Sequence, residues 1–347
     1  MGEVQNVCQM TTYDAARVYI ERYKDDLLNR KMGKKTLARL IIAEHQAHFT
    51  MDDLEKIRKA IRDLTGEGKG IKPVIMLNND AHKGELSKLP LSVVKPREEF
   101  NLPDGKYLVL SDIHLPFHDA QALETAIQEG KRQEVTGVYL NGDTLDMFQI
   151  SNFTKFEKSI DIGEEVATCN KFLAYLREQF PQAQIWYKVG NHEARFERYI
   201  WANMPQLAPL ISEKLGESMG LAGLLHLEQY GVTYVGDRNI TYAGDLALLH
   251  GHEFGSSVFS PVNPARGAFL RAKSSVLIGH HHQTSTHHEG NLAGDKIACF
   301  STGCLCDLSP NYRPFAYTRW NHGAAVVEVK GKDFWVDNFR IENGKRY

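Results

Sequence analysis

The segment YLVLSDIHL, residues 107 to 115, holds the pattern from which the rest of the chain can be interpreted. It begins as a short apolar run, which is typical of a buried strand, and then changes to Ser111, Asp112 and His114. In an extended segment Asp112 and His114 point to the same side, so both side chains could reach one ligand. We therefore expect a buried strand that ends in a polar site.

Four further apolar runs end in the same chemistry. VTGVYL is followed by NGDTLD (141–146), QIWYKV by GNHE (190–193), DLALL by HGH (250–252) and SVLI by GHHH (279–282). Ligand sites in α/β folds gather where the carboxyl ends of strands converge, so we expect these segments to lie together. Helices predicted at 119–133 and 163–180 alternate with the strands, which indicates an α/β sandwich with layered sheets.

The residue types at these strand ends predict a metal centre. Carboxylate, amide oxygen and imidazole together suit Mn, Fe, Zn, Ni or Co better than Mg or Ca. The candidates outnumber the ligands of one ion, so two ions sharing a carboxylate are expected, as in phosphoryl chemistry. Within the histidine tract we expect His280 and His282 to alternate along an extended strand end and His281 to point away. His287 and His288 are expected in a turn beyond it.

Between residues 107 and 282 the chain contains five motifs in this order: D-x-H, G-D-x-x-D, G-N-H-E, H-G-H and G-H-x-H. This set resembles the calcineurin-like metallophosphoesterase family. The resemblance implies a four-layer α/β/β/α sandwich and hydrolysis of phosphoesters by a metal-bridging hydroxide. It also implies seven metal ligands: Asp112, His114 and His282 for the first ion, Asn191, His250 and His280 for the second, and Asp143 bridging both.

The same resemblance implies two further roles at the site. His192 is expected to contact a phosphate oxygen or to donate a proton to the leaving group, and Asp146 to orient His192 through its other ring nitrogen. Arg195 and Arg198 follow at i, i+3 spacing, where they either hold substrate phosphate or form solvated ion pairs. His252 is either a substrate contact or a structural hydrogen-bonding residue.

Composition limits the class of protein. The chain has 347 residues, 42% of them hydrophobic, and a formal net charge of −2, which does not indicate general binding to nucleic acid or membranes. No apolar stretch approaches the ~20 residues of a membrane span. Five scattered cysteines and the lack of a signal peptide predict reduced thiols and a cytoplasmic location. Cys304 and Cys306 are either core-facing strand residues or metal ligands.

Three regions are predicted along the chain. Residues 1–66 form a helical module, in which Thr50 and Asp53 resemble a capping box and Gly66 ends the last helix. Residues 67–106 form a linker or arm with at most one strand, and residues 107–347 form the metallophosphoesterase domain. The module holds 12 basic and 10 acidic residues. A small helical bundle is therefore favoured over a DNA-binding helix-turn-helix.

The substrate is left open by these patterns, since the family acts on many phosphoesters with one metal core. The slightly basic module favours a nucleotide or nucleic-acid substrate, with Mn²⁺ as the expected metal. One alternative is a DNA exonuclease or endonuclease, which would need a broad basic groove. An alternative of another class is a non-catalytic metal-binding scaffold. No membrane partner is expected, and the oligomeric state is open, with a homo-oligomer as one option.

Overall fold

A computed structural model describes residues 10–28, 31–66, 98–152, 155, 160–206, 208, 220–236, 239–255, 262–292, 294–309 and 317–347. The chain divides into two compact units, Met1–Lys95 and Pro96–Tyr347. The predicted boundary at 107 therefore falls inside the second unit, where β1 (Glu98–Asn101) pairs with a sheet strand. Most of the predicted linker, 67–97, lies outside the described residues. None of the described helices combines the length and apolar character that a bilayer crossing requires.

The first unit is helical in its described residues. Its described helices are α1 (Thr12–Arg22), α2 (Lys24–Leu28), α3 (Lys34–Glu44) and α4 (Leu54–Leu64). Apolar residues at helical spacing form its core, for example Ile20, Ile41 and Ile61, which are fully buried. The predicted capping box of Thr50 and Asp53 is confirmed: it precedes α4, where it satisfies backbone N–H groups that the helix leaves unpaired.

The second unit is built on two sheets. After β1, its described strands are β2 (Gly105–Leu110), β3 (Gly137–Asn141), β4 (Gln184–Lys188), β5 (Val232–Val235), β6 (Asn239–Ala243), β7 (Leu246–Leu248), β8 (Val276–Ile278), β9 (Ser285–Gly290), β10 (Lys296–Ser301), β11 (His322–Lys330), β12 (Asp333–Glu342) and β13 (Lys345–Arg346). Within the described residues one sheet has the order β1-β6-β7-β8-β10-β9, and the other β13-β12-β11-β2-β3-β4-β5.

Helices cover the outer faces of both sheets. They are α5 (Ala120–Arg132), α6 (Ile162–Gln179), α8 (Leu221–Leu224) and α9 (Pro264–Ala272), whereas α7 (Ala194–Asn203) contacts the 3₁₀ turn Phe148–Ile150. In β2, Leu108 and Leu110 pack toward α5 and α6, whereas Tyr107 and Val109 pack against the other sheet. Ile278 on the outer face of that other sheet packs in one cluster with α9. The predicted α/β/β/α sandwich is thus confirmed layer by layer.

Strand direction explains where the polar loops meet. β2, β3, β4 and β5 are mutually parallel, so their carboxyl ends lie at one edge of the sheet. In the facing sheet β7 and β8 are parallel as well. The five segments singled out in the sequence follow β2, β3, β4, β7 and β8 directly.

The turn predicted at His287 and His288 is wrong. Both residues belong to β9, which pairs antiparallel with β10 across the register His287–Cys299 and His288–Ala298. β9 is an edge strand of mixed polar residues, so it lacks the apolar run that marks the buried strands.

Candidate metal centre

The loops that carry the predicted ligands turn sharply rather than continuing the strands. Asp112, His114, Asp143, His280 and His282 all have φ between 50° and 65°, in the left-handed region. The extended geometry predicted for 112–114 and for 280–282 is therefore wrong, although the side chains do converge. Residues other than glycine seldom adopt this conformation, and such strain concentrates at functional sites.

The first group of converging atoms is formed by Asp112, His114 and His282. His282 Nε2 lies 3.1 Å from Asp112 Oδ1 and 3.3 Å from His114 Nε2. All three side chains are buried. Asp112 Oδ1 nevertheless has no partner of acceptable hydrogen-bond geometry among the described residues. Three candidate ligand atoms therefore face one small volume.

Asp146 fixes the tautomer of His114. Its Oδ1 lies 2.8 Å from His114 Nδ1, so that nitrogen donates to the carboxylate and Nε2 keeps its lone pair. The predicted partner of this carboxylate was His192, whose Nδ1 is farther away at 3.3 Å. His192 Nδ1 instead lies 2.7 Å from the backbone carbonyl of Asp146. Asp146 thus orients both imidazoles, His114 through its side chain and His192 mainly through its backbone.

The second group is formed by Asp143, Asn191, His250 and His280. His250 Nδ1 donates to the carbonyl of Asn141 at 2.8 Å, so Nε2 is the acceptor nitrogen of the neutral imidazole. That Nε2 lies 3.1 Å from both Asp143 Oδ2 and Asn191 Oδ1. Asp143, His250 and His280 form one of the three groups of possible metal-binding atoms among the described residues.

Asp143 connects the two groups. Its Oδ2 also lies 3.9 Å from His114 Nε2, so one carboxylate faces both sets of acceptors. Glycines permit this crowding: a Cβ at Gly190 would collide with Asp143, and one at Gly279 with Ser111 and Asp112. The glycines in G-N-H-E and G-H-x-H therefore have a steric role.

The electrostatics of the site favour ionised carboxylates. Burial alone would raise the pKa of Asp112 and Asp143, but the surrounding imidazoles outweigh it and hold both pKa values well below the usual range. Burial lowers the pKa of His250, and Asp143 and Asp112 more than offset this and raise it to about 10. Burial and the nearby His250 lower the pKa of His280 to about 3.

These donor sets fit divalent cations. Imidazole nitrogens, an amide oxygen and ionised carboxylates converge on one another, and an acceptor oxygen of Asp112 is buried without a hydrogen bond. Buried acceptors in this arrangement are costly unless a cation lies between them. The seven ligands implied by the resemblance are all drawn together in two groups that share Asp143.

His192 lies beside the two groups, next to Arg195. Its Nε2 is 3.6 Å from Asp143 Oδ2, and Arg195 Nη2 is 3.0 Å from the same nitrogen. Arg195 Nη1 donates to the Asp146 carbonyl at 2.9 Å, which fixes the guanidinium over the ring. Burial lowers the pKa of His192, but Asp143 and Asp146 outweigh burial and raise it. His252, the other residue singled out for substrate, lies with its ring 5.4 Å from that of His250.

Glu193 has a structural role that sequence reasoning did not assign. Its carboxylate is buried beneath the loops and accepts five hydrogen bonds. The donors are the backbone N–H groups of Asp143 (3.0 Å), Thr144 (2.7 Å), Leu145 (3.0 Å) and Gly190 (3.0 Å) and the hydroxyl of Tyr187 (3.0 Å). One side chain thus fixes the loop that presents Asp143 to the loop that presents Asn191. Its place in G-N-H-E was the only signal in the sequence.

Glu193→Gln is expected to destabilise the second unit by roughly 2–4 kcal/mol, because an amide NH₂ would face buried N–H donors that lose their acceptor. The measurement is urea unfolding followed by the fluorescence of tryptophan, since Trp186 is buried in this unit. Glu328→Gln on the exposed side of β11 is the matched control. An unfolding midpoint equal to that of the control would contradict the role given to Glu193.

Cys306, for which the sequence left a core role and a ligand role open, lies behind the first group. Its Sγ is 3.8 Å from His282 Nδ1, and His114, His282 and Cys306 form another group of possible metal-binding atoms. Cys304 and Cys306 are both buried, but they follow β10 rather than belonging to a strand. His281 belongs to none of the groups found among the described residues.

Comparison with known proteins finds a similar phage protein and several similar solved structures. The gene 54 protein of Mycobacterium phage L5 is 27% identical over 250 residues, which are 69% of this chain and 95% of the phage protein. The structural match to Vacuolar Protein Sorting 29 from Cryptosporidium parvum spans 71% of this chain and 96% of that protein, with 10% identity and a TM-score of 0.37. The match to a dimetal phosphatase from Danio rerio spans 69% of this chain and 96% of the phosphatase, with 10% identity and a TM-score of 0.33.

The two solved structures belong to the family that the five motifs resemble, the calcineurin-like metallophosphoesterases. No family model matches the chain. Because the identities and TM-scores are low, the likeness does not extend to activity or substrate.

Proposed function

We propose that this chain, with the motifs and layered fold of the calcineurin-like metallophosphoesterases, is a phosphoric ester hydrolase that depends on two divalent cations. One observation carries the proposal: two sets of candidate ligand atoms converge at the ends of five strands and share Asp143. A structural metal site would be closed around one ion, whereas a shared carboxylate between two acceptor sets suits phosphoryl chemistry.

Asp112, His114, Asp143 and His282 would hold the first cation, and Asp143, Asn191, His250 and His280 the second. Bound cations would supply Lewis-acid activation of water and neutralisation of the phosphoryl charge. Mn²⁺ is our proposed metal, with Fe, Zn, Ni and Co suited to the same donors.

The side chains around the centre bind and orient the phosphoester. His192, held by the Asp146 carbonyl, faces the volume beside Asp143 and is placed to contact a phosphoryl oxygen or the leaving oxygen. Arg195 adds a fixed positive charge next to it. Asp146 keeps His114 in the tautomer that a metal ligand requires.

The substrate we propose is a nucleotide or nucleic-acid phosphoester, in a cytoplasmic protein. A DNA exonuclease or endonuclease is the narrower enzymatic alternative. A non-catalytic metal-binding scaffold is the alternative of another class, and the complete donor set argues against it.

Removal of metal provides the test. Protein treated with EDTA is expected to lose hydrolysis of bis-p-nitrophenyl phosphate, because the acceptor groups alone do not activate water, and Mn²⁺ is expected to restore it. p-Nitrophenyl phosphate, cyclic nucleotides and single- and double-stranded DNA are assayed side by side to identify the substrate class. Turnover undetectable on the whole panel with Mn²⁺ present would refute the proposal and favour the scaffold.

A further inference from the structure

A cleft adjoins the second group of predicted ligands. Its volume is about 610 Å³, and its lining includes Asn191 and His280 at the end nearest the metal centre. Clefts of this size accommodate ligands much larger than a phosphate group. The site therefore has room for a substrate that continues beyond the scissile ester.

One face of α7 forms a wall of this cleft. The lining residues Arg195, Arg198, Tyr199, Ala202 and Asn203 have the spacing i, i+3, i+4, i+7 and i+8, which places them on one side of a helix. The face extends for about 12 Å, at the ~1.5 Å rise of an α-helix. It thus leads from the metal centre along the length of the cleft.

The chemistry of this face suits an anionic chain with aromatic groups. Two arginines line the cleft, and none of its lining residues, all within the described part of the chain, is acidic. Arg198 is fixed beside Asn191, because its Nη2 donates to the Asn191 carbonyl at 2.9 Å. Tyr199, one residue along, is 45% exposed and offers a ring on which a base can stack. Ser151 and Asn152 line the cleft as well and add polar groups.

We infer that this face of α7 binds a single strand of nucleic acid, with arginines on its phosphates and Tyr199 on a base, so that the strand leads into the metal centre. The inference rests on the proposed phosphoester hydrolysis and narrows its substrate to an oligonucleotide. A phosphate monoester would occupy only the end of the cleft at Asn191 and His280.

The test is binding of fluorescein-labelled octathymidylate to the full chain in EDTA, followed by fluorescence anisotropy, so that binding is measured without turnover. Ala202 is exposed on the cleft face and contributes nothing to the metal centre, so Ala202→Glu adds a negative charge in the path of the strand. We expect Ala202→Glu to weaken binding about tenfold. Ala202→Gln introduces a side chain of the same shape as glutamate but without its charge, and is expected to leave binding unchanged. Tyr199→Ala is expected to weaken it about tenfold through lost stacking.

Salt dependence checks the role of the arginines: two phosphate contacts give a slope of about −1.4 in a plot of log K against log salt concentration.

Equal affinities for wild type, Ala202→Glu and Ala202→Gln would overturn the inference, as would binding to phosphatidylglycerol vesicles in place of the oligonucleotide. Hydrolysis of bis-p-nitrophenyl phosphate with Mn²⁺ is measured on Ala202→Glu and Ala202→Gln and is expected to be unchanged. If no variant hydrolyses it while oligonucleotide binding responds to Ala202→Glu, the proposed function fails and the strand-binding face stands.

Discussion

Asp143→Asn is expected to lower kcat/KM for bis-p-nitrophenyl phosphate by roughly a thousandfold or more. Asp143 is the side chain that faces both acceptor groups, through Oδ2 at 3.1 Å from His250 Nε2 and 3.9 Å from His114 Nε2. Asparagine has nearly the same shape but removes the negative charge shared by the two proposed cations. Charge stabilisation by paired metals contributes several kcal/mol, and each ~1.4 kcal/mol corresponds to a tenfold change in rate.

Activity and metal content are measured together for this variant. Steady-state kinetics at high Mn²⁺ give kcat/KM, and the metal bound per chain is counted after gel filtration. Loss of bound metal together with activity is expected, because Asp143 contributes to both sites. Asp333→Asn, exposed at the start of β12, is the matched control. Wild-type turnover by Asp143→Asn would contradict the proposed centre.

The convergence of the candidate ligands could be predicted from the sequence because their loops follow buried strands. Apolar runs marked β2, β3, β4, β7 and β8, and parallel strands bring such loops to one edge. The geometry within the loops could not be predicted, since the left-handed backbone at Asp112, His114 and His280 depends on tertiary packing. The conclusion that Asp112 and His114 converge was right, whereas the extended backbone given as its reason was wrong.

Supporting contacts were harder to predict for a similar reason. The pairing of Asp146 with His114 spans 32 residues and the bonds of Glu193 to Thr144 span 49, and neither leaves a periodic pattern in the sequence. β9 was missed because edge strands have no distinctive local pattern, and the spacing of Cys304 and Cys306 alone could not place Cys306 behind His282. Polar side chains can be assigned to a site from the motifs, but their partners depend on distances that only the fold determines.

His192→Asn is expected to lower kcat by about a hundred- to a thousandfold, while the metal bound per chain stays at the wild-type value. His192 is held by the Asp146 carbonyl and contacts Arg195, and its predicted partner is the phosphoester rather than a cation. Loss of one positioned proton donor or charge-stabilising group has an effect of this size. His287→Gln in the edge strand β9 is the matched histidine control.

Metal counting separates this role from ligation. His114, Asp143 and His192 form one of the groups that could hold an ion among the described residues, so a variant that loses metal would show that His192 is a ligand. The leaving group then distinguishes the two roles proposed for the imidazole. If His192 donates a proton to the leaving oxygen, His192→Asn should impair a phenyl ester much more than a p-nitrophenyl ester, because nitrophenolate departs without a proton. If His192 binds a phosphoryl oxygen, both esters should lose rate by the same factor, since that charge develops whatever group departs.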